Sequence, residues 1–224
     1  MPSNLADARL VIFDIDGTLL ATDSFWLDIG RRAVATVYAR HGVRRELPGD
    51  ARFVGAIGLP MEEFWRYVLP EELHGLGEEV EREAEDLEEV AFAKGLGAMY
   101  PGARRLLDDL HRAGRAVALA SNCSRRYLDS FVRAFNLGPI LLAALCADDP
   151  GVTSKADMVS QILDLAEGAP AVVVGDRETD REAARANRLP FVLFAGGFSS
   201  TARSDGDVLV RDFAELRRLL LDPA

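Results

Sequence analysis

The chain has 224 residues, of which 49% are hydrophobic, so it is long enough to bury one substantial core and a small second unit. Its formal net charge of −10 argues against nucleic acid or an anionic membrane surface as the main partner, because phosphate groups attract clustered cations. No apolar stretch approaches the roughly 20 residues of a membrane span and no secretory leader pattern is seen, so the sequence predicts a cytoplasmic protein.

Two aspartates, Asp14 and Asp16, directly follow the first predicted strand, residues 10–13, in the segment LVIFDIDGTLL. Alternate residues of a strand point the same way, so both carboxylates can face one site where the strand ends. Two acids this close either share a metal or form a catalytic pair. A turn rich in aspartate that merely ends the strand is the alternative.

Residues 21–97 form a predicted helical insertion. Apolar residues recur at helical spacing in 25–38 and 61–69, and again among the many acids of 71–89. We expect those acids to form a solvent-exposed helix face. The predicted domains are therefore an α/β core made of residues 1–20 and 98–224, and an inserted helical unit made of residues 21–97.

The rest of the chain alternates between predicted helices and strands. Helices are expected at 101–114, 124–136, 154–167, 178–188 and 212–221, with capping-box spacing at Ser154/Asp157 and Asp212/Glu215. Strands are expected at 116–120, 141–145, 171–174, 190–194 and 208–210. Near-continuous apolar strands that alternate with helices predict a Rossmann-like parallel sheet covered on both faces.

Polar side chains follow several of these strands, where a parallel α/β sheet binds its ligands. Ser121 and Asn122 follow AVALA, Lys155 follows the next apolar segment after a loop, and Asp176 and Asp180 follow VVVG. Lysine is rare in this chain, since Lys94 and Lys155 are the only two among 26 basic residues. A lysine at this edge therefore indicates a specific need.

This set of side chains suits phosphoryl transfer assisted by Mg²⁺, which prefers oxygen ligands and needs only one or two carboxylates, such as Asp14 and Asp176. A carboxylate nucleophile forms an acyl phosphate, and a neighbouring acid protonates the departing oxygen. Lys155, the Ser121 hydroxyl and backbone N–H groups would offset the charge on the phosphoryl oxygens.

FDIDGTLL, ALASN, Lys155 and VVVGDRETD, in this order around a helical insertion, resemble the haloacid dehalogenase superfamily of phosphatases. The resemblance covers the whole chain and implies Asp14 as nucleophile and Asp16 as general acid and base. It implies Mg²⁺ ligation by Asp14, by the backbone carbonyl of Asp16 and by Asp176, with Asp180 orienting the site. The residues implied for phosphate binding and for bracing the first loop are Ser121, Asn122, Lys155 and Thr18.

The insertion resembles the small helical cap of the phosphoglycolate phosphatase-like branch, and YPGARRLLDDLHRAG is similar to the same branch. The resemblance implies a small-molecule phosphate ester as substrate, and Gly58 and Pro60 resemble part of a substrate-facing loop. Arginines of the insertion are candidates for binding a second anionic group, although most are expected at the surface. They are Arg31, Arg32, Arg40, Arg44, Arg45, Arg52 and Arg66.

Within the superfamily, a dehalogenase needs no acid at Asp16, and a phosphonatase needs a cap lysine that residues 21–93 lack. A β-phosphoglucomutase-like phosphomutase stays open, although 21–28 lacks the histidine typical of that group. A catalytically silent phosphate-binding protein on the same fold is the hypothesis from another class. The roles of Arg177 and Cys123, the natural substrate and the oligomeric state, monomer or homodimer, also stay open.

Overall fold

The computed structural model of the chain describes residues 5–197 and 201–222, apart from the side chains of residues 61 and 62. The predicted core segments 1–20 and 98–224 extend over residues 1–4, 198–200 and 223–224, which lie outside this description. The boundaries of the two predicted domains stay predictions. Among the described residues, no helix combines the length and the apolar character that a membrane span requires.

The core is a six-stranded parallel sheet in the order β3-β2-β1-β4-β5-β6. Its strands are β1 (Leu10–Phe13), β2 (Ala116–Ser121), β3 (Leu141–Cys146), β4 (Ala171–Gly175), β5 (Phe191–Phe194) and β6 (Val208–Val210). Every residue of β1 and β4 is buried, as expected of central strands covered on both faces. The predicted α/β fold with a parallel sheet is confirmed.

Helices cover both faces of the sheet. The described helices are α1 (Asp23–Arg40), α2 (Asp50–Ala56), α3 (Met61–Val68), α4 (Gly77–Ala93), α5 (Ala103–Arg112), α6 (Arg125–Ala134), α7 (Lys155–Leu165), α8 (Glu178–Ala186) and α9 (Phe213–Leu221). Val11 and Phe13 of β1 share one apolar cluster with α5, α6 and α9. Leu10 and Ile12, which point the other way, share a second cluster with α7 and α8.

Helices α1 to α4 lie between β1 and β2 in the chain and pack on one another through aromatic side chains. The Trp26 ring on α1 lies 5.1 Å from Phe64 and 6.1 Å from Trp65 of α3, between ring centroids. The 5.5 Å contact between Phe25 and Phe92 joins α1 to α4. Large buried rings of this kind dominate the packing energy of a small unit. We call residues 23–93 the helical segment.

Several sequence expectations for the helical segment need correction. The predicted helix over 71–89 is divided into a 3₁₀ turn, Glu71–Leu76, and helix α4, and the short helix α2 was not expected. The acids of 71–89 do not all face solvent, since Glu88 is only 7% exposed. Glu88 follows Ala84 by four residues and precedes Ala91 by three, so it lies within the apolar stripe of α4.

The other boundaries differ by a few residues. The helix expected from residue 101 begins at Ala103, because Gly102 has a φ of 87° that only glycine adopts readily. Ser154 caps α7 by accepting the N–H of Asp157. The Asp157 carboxylate accepts the Thr153 N–H at 2.9 Å, so this cap lacks the reciprocal bond of a capping box.

Candidate active site

The candidate site lies where neighbouring strands end at one edge of the sheet. Strand β1 pairs with β2 on one side and β4 on the other, all parallel, so the residues at their carboxyl ends are brought together. Asp14 follows β1, Ser121 ends β2 and Asp176 follows β4. Lys155 is the first residue of α7, and Asp180 is in the first turn of α8. We call this region the carboxyl edge.

Lys155 is buried between two carboxylates. Its Nζ donates to Asp14 Oδ1 at 2.7 Å and to Asp180 Oδ1 at 2.7 Å, and all three residues are at least nine-tenths buried. Burial lowers the pKa of Lys155, but the two carboxylates raise it by a larger amount, so the net shift is upward. The ammonium group is therefore held charged. Asp180 is fixed in turn by the Arg177 backbone N–H, which donates to its Oδ2 at 2.9 Å.

Asp14, Asp176 and Asp180 each offer a carboxylate oxygen within 4.8 Å of the others. Burial, followed by the charge of Asp180, raises the pKa of Asp176 to about 7, and burial also raises the pKa of Asp14. Three carboxyl groups are set against two cations, Lys155 and Arg177, whose Nε lies 3.7 Å from Asp176 Oδ2. Closely spaced carboxylate oxygens with excess negative charge suit a hard divalent cation. A metal is therefore a chemically fitting occupant of this cluster.

The loop after β1 approaches Asp176 so closely that only glycine fits. Gly17 has a φ of 84°, and a Cβ on it would lie 2.4 Å from Asp176 Oδ2. The next residue, Thr18, is fully buried and donates its hydroxyl to Asp176 Oδ1 at 3.3 Å. Gly17 and Thr18, which follow the two aspartates, thus hold the loop after β1 against Asp176 at the end of β4.

Asp16 faces a different set of partners from Asp14. The hydroxyls of Thr22 and Tyr127 donate to its Oδ1 at 2.5 and 2.6 Å. Burial raises the pKa of Asp16, and the two hydrogen bonds oppose that shift without cancelling it. The sequence did not indicate Thr22 or Tyr127. A hydroxyl six residues beyond Asp16 is only a weak signal of a hydrogen-bond partner. Tyr127 reaches Asp16 because α6 packs against α4 of the helical segment.

Ser121 and Asn122 are both buried at the end of β2. Asn122 Nδ2 donates to the backbone carbonyl of Gly58 at 3.1 Å, which joins the carboxyl edge to the loop before α3. Arg177 reaches the same region, since its Nη2 donates to the Val54 carbonyl at 3.4 Å. Gly58 thus lies next to the edge, as the sequence suggested, while Pro60 lies at the start of α3.

A cavity extends from Asp16, Ser121 and Asn122 into the helical segment. One side is formed by aromatic rings, and the other by α4. We call it the aromatic cavity and define it by Trp26, Phe64, Trp65, Glu81, Glu85, Glu88 and Tyr127. Burial raises the pKa of Glu88 to about 8 and that of Glu81 to about 7, and neighbouring carboxylates add to both shifts. Cys123 also lines the cavity, where burial raises the pKa of its thiol.

The arginines of the insertion do not line this cavity among the residues described. Arg31, Arg40 and Arg45 form ion pairs with Asp50, Glu79/Glu83 and Glu72 respectively. These pairs are largely exposed, which is the usual environment of surface arginines.

Residues 8–187 match the family model described as haloacid dehalogenase-like hydrolase. The chain belongs to the haloacid dehalogenase-like hydrolase family. The predicted membership and the predicted assignment as a hydrolase are confirmed. The match includes the helical segment as well as strands β1 to β4 and helices α5 to α8.

Relatives with known names span most of the chain. Protein CbbY from a plasmid of Cupriavidus necator is 28% identical over 220 residues, covering 90% of this chain and 84% of its own length. A phosphoglycolate phosphatase from Pseudomonas fluorescens is 28% identical over 235 residues, covering 95% of this chain and 78% of its own length. The crystal structure of CbbY from Rhodobacter sphaeroides in complex with phosphate has a TM-score of 0.74 at 24% identity, and the match covers 93% of this chain and 96% of the other, so the fold is shared.

Proposed function

We propose that this hydrolase is a Mg²⁺-dependent phosphatase that acts on small organic phosphate monoesters. The observation that carries the proposal is the buried cluster at the carboxyl edge, in which Lys155 lies 2.7 Å from an oxygen of Asp14 beside the carboxylates of Asp176 and Asp180. A phosphoryl group needs a nucleophile, positive charge and a metal site together. The phosphatase named among the relatives and the phosphate bound by CbbY support the same reaction class.

In the proposed reaction, an Asp14 carboxylate oxygen attacks phosphorus and the bond to the ester oxygen breaks, which leaves an acyl phosphate on Asp14. Water then attacks phosphorus and releases inorganic phosphate. Lys155, the Ser121 hydroxyl and the Asn122 amide are the proposed contacts of the phosphoryl oxygens. The Lys155 ammonium also holds Asp14 in place through their 2.7 Å hydrogen bond.

Asp16 is the proposed general acid and base. It gives a proton to the departing alkoxide and later takes one from water. The hydroxyls of Thr22 and Tyr127 both bond to Oδ1, so Oδ2 is the oxygen proposed to exchange the proton. Thr22 and Tyr127 are positioning residues in this scheme, because they act through Asp16.

The proposed ligands of Mg²⁺ are the carboxylates of Asp14 and Asp176 and the backbone carbonyl of Asp16, with Asp180 orienting the cluster. When bound, the ion would offset negative charge on the phosphoryl group. Thr18 braces Asp176 through its hydroxyl. Asp180 keeps Lys155 in place at 2.7 Å, so its proposed contribution is to the geometry of the cluster.

The proposal includes a core of residues 1–20 and 98–224, and a cap of residues 21–97 that covers the substrate. Two contacts between the helical segment and the carboxyl edge support it, namely Asn122 to Gly58 in the loop before α3 and Arg177 to Val54 in α2. A covering unit excludes bulk water and provides selectivity. We also propose a cytoplasmic location, which cell fractionation would test.

The test is release of inorganic phosphate from a panel of phosphate monoesters with Mg²⁺, before and after chelation with EDTA. The proposal expects turnover that chelator removes and added Mg²⁺ restores. A folded protein that releases no phosphate from any ester with Mg²⁺ present would contradict it. Appearance of an isomeric sugar phosphate in place of free phosphate would identify a phosphomutase instead.

A further inference from the structure

The aromatic cavity has an apolar wall and an acidic wall. Trp26, Phe64 and Trp65 form an apolar wall, with ring centroids 4.9 Å apart between Phe64 and Trp65. Opposite them, Glu81, Glu85 and Glu88 line the cavity from successive turns of α4. No lysine or arginine is among the described residues that line it.

These carboxyl groups have few basic partners. Within the described part of the chain, neither Glu81 nor Glu88 forms an ion pair, while Glu85 lies 3.5 Å from Arg126. Glu88 accepts a hydrogen bond from the Trp26 indole N–H at 2.5 Å, and this donor is neutral. The pKa values of Glu81 and Glu88 are raised by burial and then by nearby acids, so a cation in the cavity would relieve both effects.

A second observation also indicates a ligand. Trp65 is only 4% exposed and lines the cavity, yet its Nε1–H has no hydrogen-bond partner among the described residues. A buried donor of this kind is normally paired, because it has lost its hydrogen bond to water without gaining another. An oxygen of a bound ester would satisfy it.

We infer that the aromatic cavity selects phosphate monoesters whose alcohol carries an alkylammonium group. This inference rests on the proposed phosphatase function and assigns its substrate class. An ammonium group is attracted both to the faces of aromatic rings and to carboxylates, and the cavity offers both beside Asp16. The phosphoryl group would lie at the carboxyl edge, with the ammonium group among Trp26, Glu81 and Glu88.

An anionic alcohol fits this cavity poorly. The carboxylate of phosphoglycolate, or a second phosphate, would face three glutamates with no described cation to pair with. Like charges in a partly buried site repel more strongly than they do in water. The arginines that the sequence suggested for a second anionic group are not available in the cavity. Selectivity in this chain is therefore expected to differ from that of relatives whose names include phosphoglycolate.

The first arm of the test measures kcat/KM with Mg²⁺ for three esters. These are phosphocholine, its neutral isostere 3,3-dimethylbutyl phosphate, and anionic phosphoglycolate. We expect phosphocholine to exceed the neutral isostere by about tenfold, the size of a cation–π contact combined with partly buried charge, and phosphoglycolate to be lowest. E81Q and E88Q should lower kcat/KM for phosphocholine more than for the neutral ester, and so reduce that ratio. The matched control, E83Q, is on the same helix but outside the cavity and should keep the ratio.

The second arm measures binding without turnover. Trp26 and Trp65 are the two tryptophans of the chain and both line the cavity, so intrinsic fluorescence reports on it directly. We expect choline to change the fluorescence in a saturable way that E88Q weakens, and 3,3-dimethylbutanol to do so only at higher concentration. Equal responses to both alcohols, or a preference for phosphoglycolate, would overturn the inference. Choline binding without hydrolysis of any ester would support the cavity's assignment while contradicting the proposed function.

Discussion

The carboxyl edge and the aromatic cavity both bury acidic side chains, but they treat the charge differently. At the edge, Asp14 and Asp180 share the ammonium of Lys155 at 2.7 Å each. In the cavity, Glu81 and Glu88 have no described basic partner, and the pKa of each is raised to about 7 and about 8. Buried charge is costly unless it is paired. The edge carries its own counter-ion, whereas the cavity is arranged to receive one.

The difference suggests a division between reaction and selection. The edge is built by residues at the ends of β1, β2 and β4, which the sheet holds in register. Apart from Tyr127 of α6, the residues that define the cavity come from helices α1, α3 and α4, which are not part of the sheet. One fold can therefore keep its chemistry and change its substrate.

The largest expected effect comes from removing the nucleophile. D14N should lower kcat by at least about 1,000-fold, since the amide cannot form the acyl phosphate that the mechanism requires. Released phosphate is the readout, with circular dichroism to check folding. D109N is the matched control, because Asp109 is a buried, ion-paired aspartate on α5 outside the site. Near-normal turnover by D14N would remove Asp14 from its proposed role.

The next effect tests how closely the first loop must approach Asp176. G17A should reduce kcat/KM by about 100-fold, because the added Cβ would displace the Asp176 carboxylate and a small misplacement at a reacting centre costs about that much. G114A is the control. Gly114 also has a positive φ, 72°, but a Cβ there meets no atom within 4 Å.

Both glycine variants should lose about 1 kcal/mol in free energy of unfolding, because both place alanine at a positive φ. Only G17A should lose activity, which separates backbone strain from close approach. Equal activity losses in the two variants would mean that contact with Asp176 is irrelevant.

A smaller effect concerns the orientation of Asp16. Y127F removes the 2.6 Å hydrogen bond to Asp16 and keeps the ring that lines the cavity. We expect kcat/KM to fall by about tenfold for alkyl phosphates, the equivalent of one lost hydrogen bond. 4-Nitrophenyl phosphate has a leaving group that needs no proton. Its phosphoryl group should therefore be transferred to Asp14 at nearly the same rate in Y127F and in the wild type. A uniform loss across both esters would indicate a structural role instead.

The smallest effect is on stability and concerns Glu88. Its folded pKa of about 8 lies above the ordinary glutamate pKa of 4.5, so the folded state binds more protons than the unfolded state between these values. Stability should therefore fall as pH rises from 5 to 8, by on the order of 1 kcal/mol from this group.

Urea unfolding of E88Q at both pH values would show this directly. The variant should gain on the wild type as pH rises, because glutamine does not titrate. E83Q, which alters a partly buried partner of Arg40, is the control and should follow the wild-type trend. An identical pH dependence in E88Q and the wild type would contradict the raised pKa.

Much of the carboxyl edge could be predicted from sequence because it depends on strand ends. Asp14, Ser121 and Asp176 are each at the end of an apolar run, and parallel strands place such ends together. Lys155 does not directly follow a strand, but the rarity of lysine in this chain indicated a specific role for it. The strand order was not predicted, since periodicity identifies strands without saying which are neighbours.

The aromatic cavity was not found in the sequence because it depends on how helices pack. Glu88 was assigned to an exposed acidic face along with its neighbours, although its spacing from Ala84 and Ala91 places it in the apolar stripe. Trp26 and Trp65 are 39 positions apart in the chain, so no local pattern joins them. Tyr127 likewise meets Asp16 across 111 positions, a contact that only the fold creates.

In the proposed mechanism, Asp14 carries the phosphoryl group while Asp16 transfers protons. This division of roles is tested most directly by reacting D16N with 4-nitrophenyl phosphate and Mg²⁺, then quenching in acid and mapping the modified peptide by mass spectrometry. We expect a burst of about one nitrophenolate per protein, followed by slow turnover, with the phosphoryl group on Asp14, because the first step needs no acid and the second lacks its base. Unchanged steady turnover without a burst, or a phosphoryl group on Ser121 or Cys123, would contradict it.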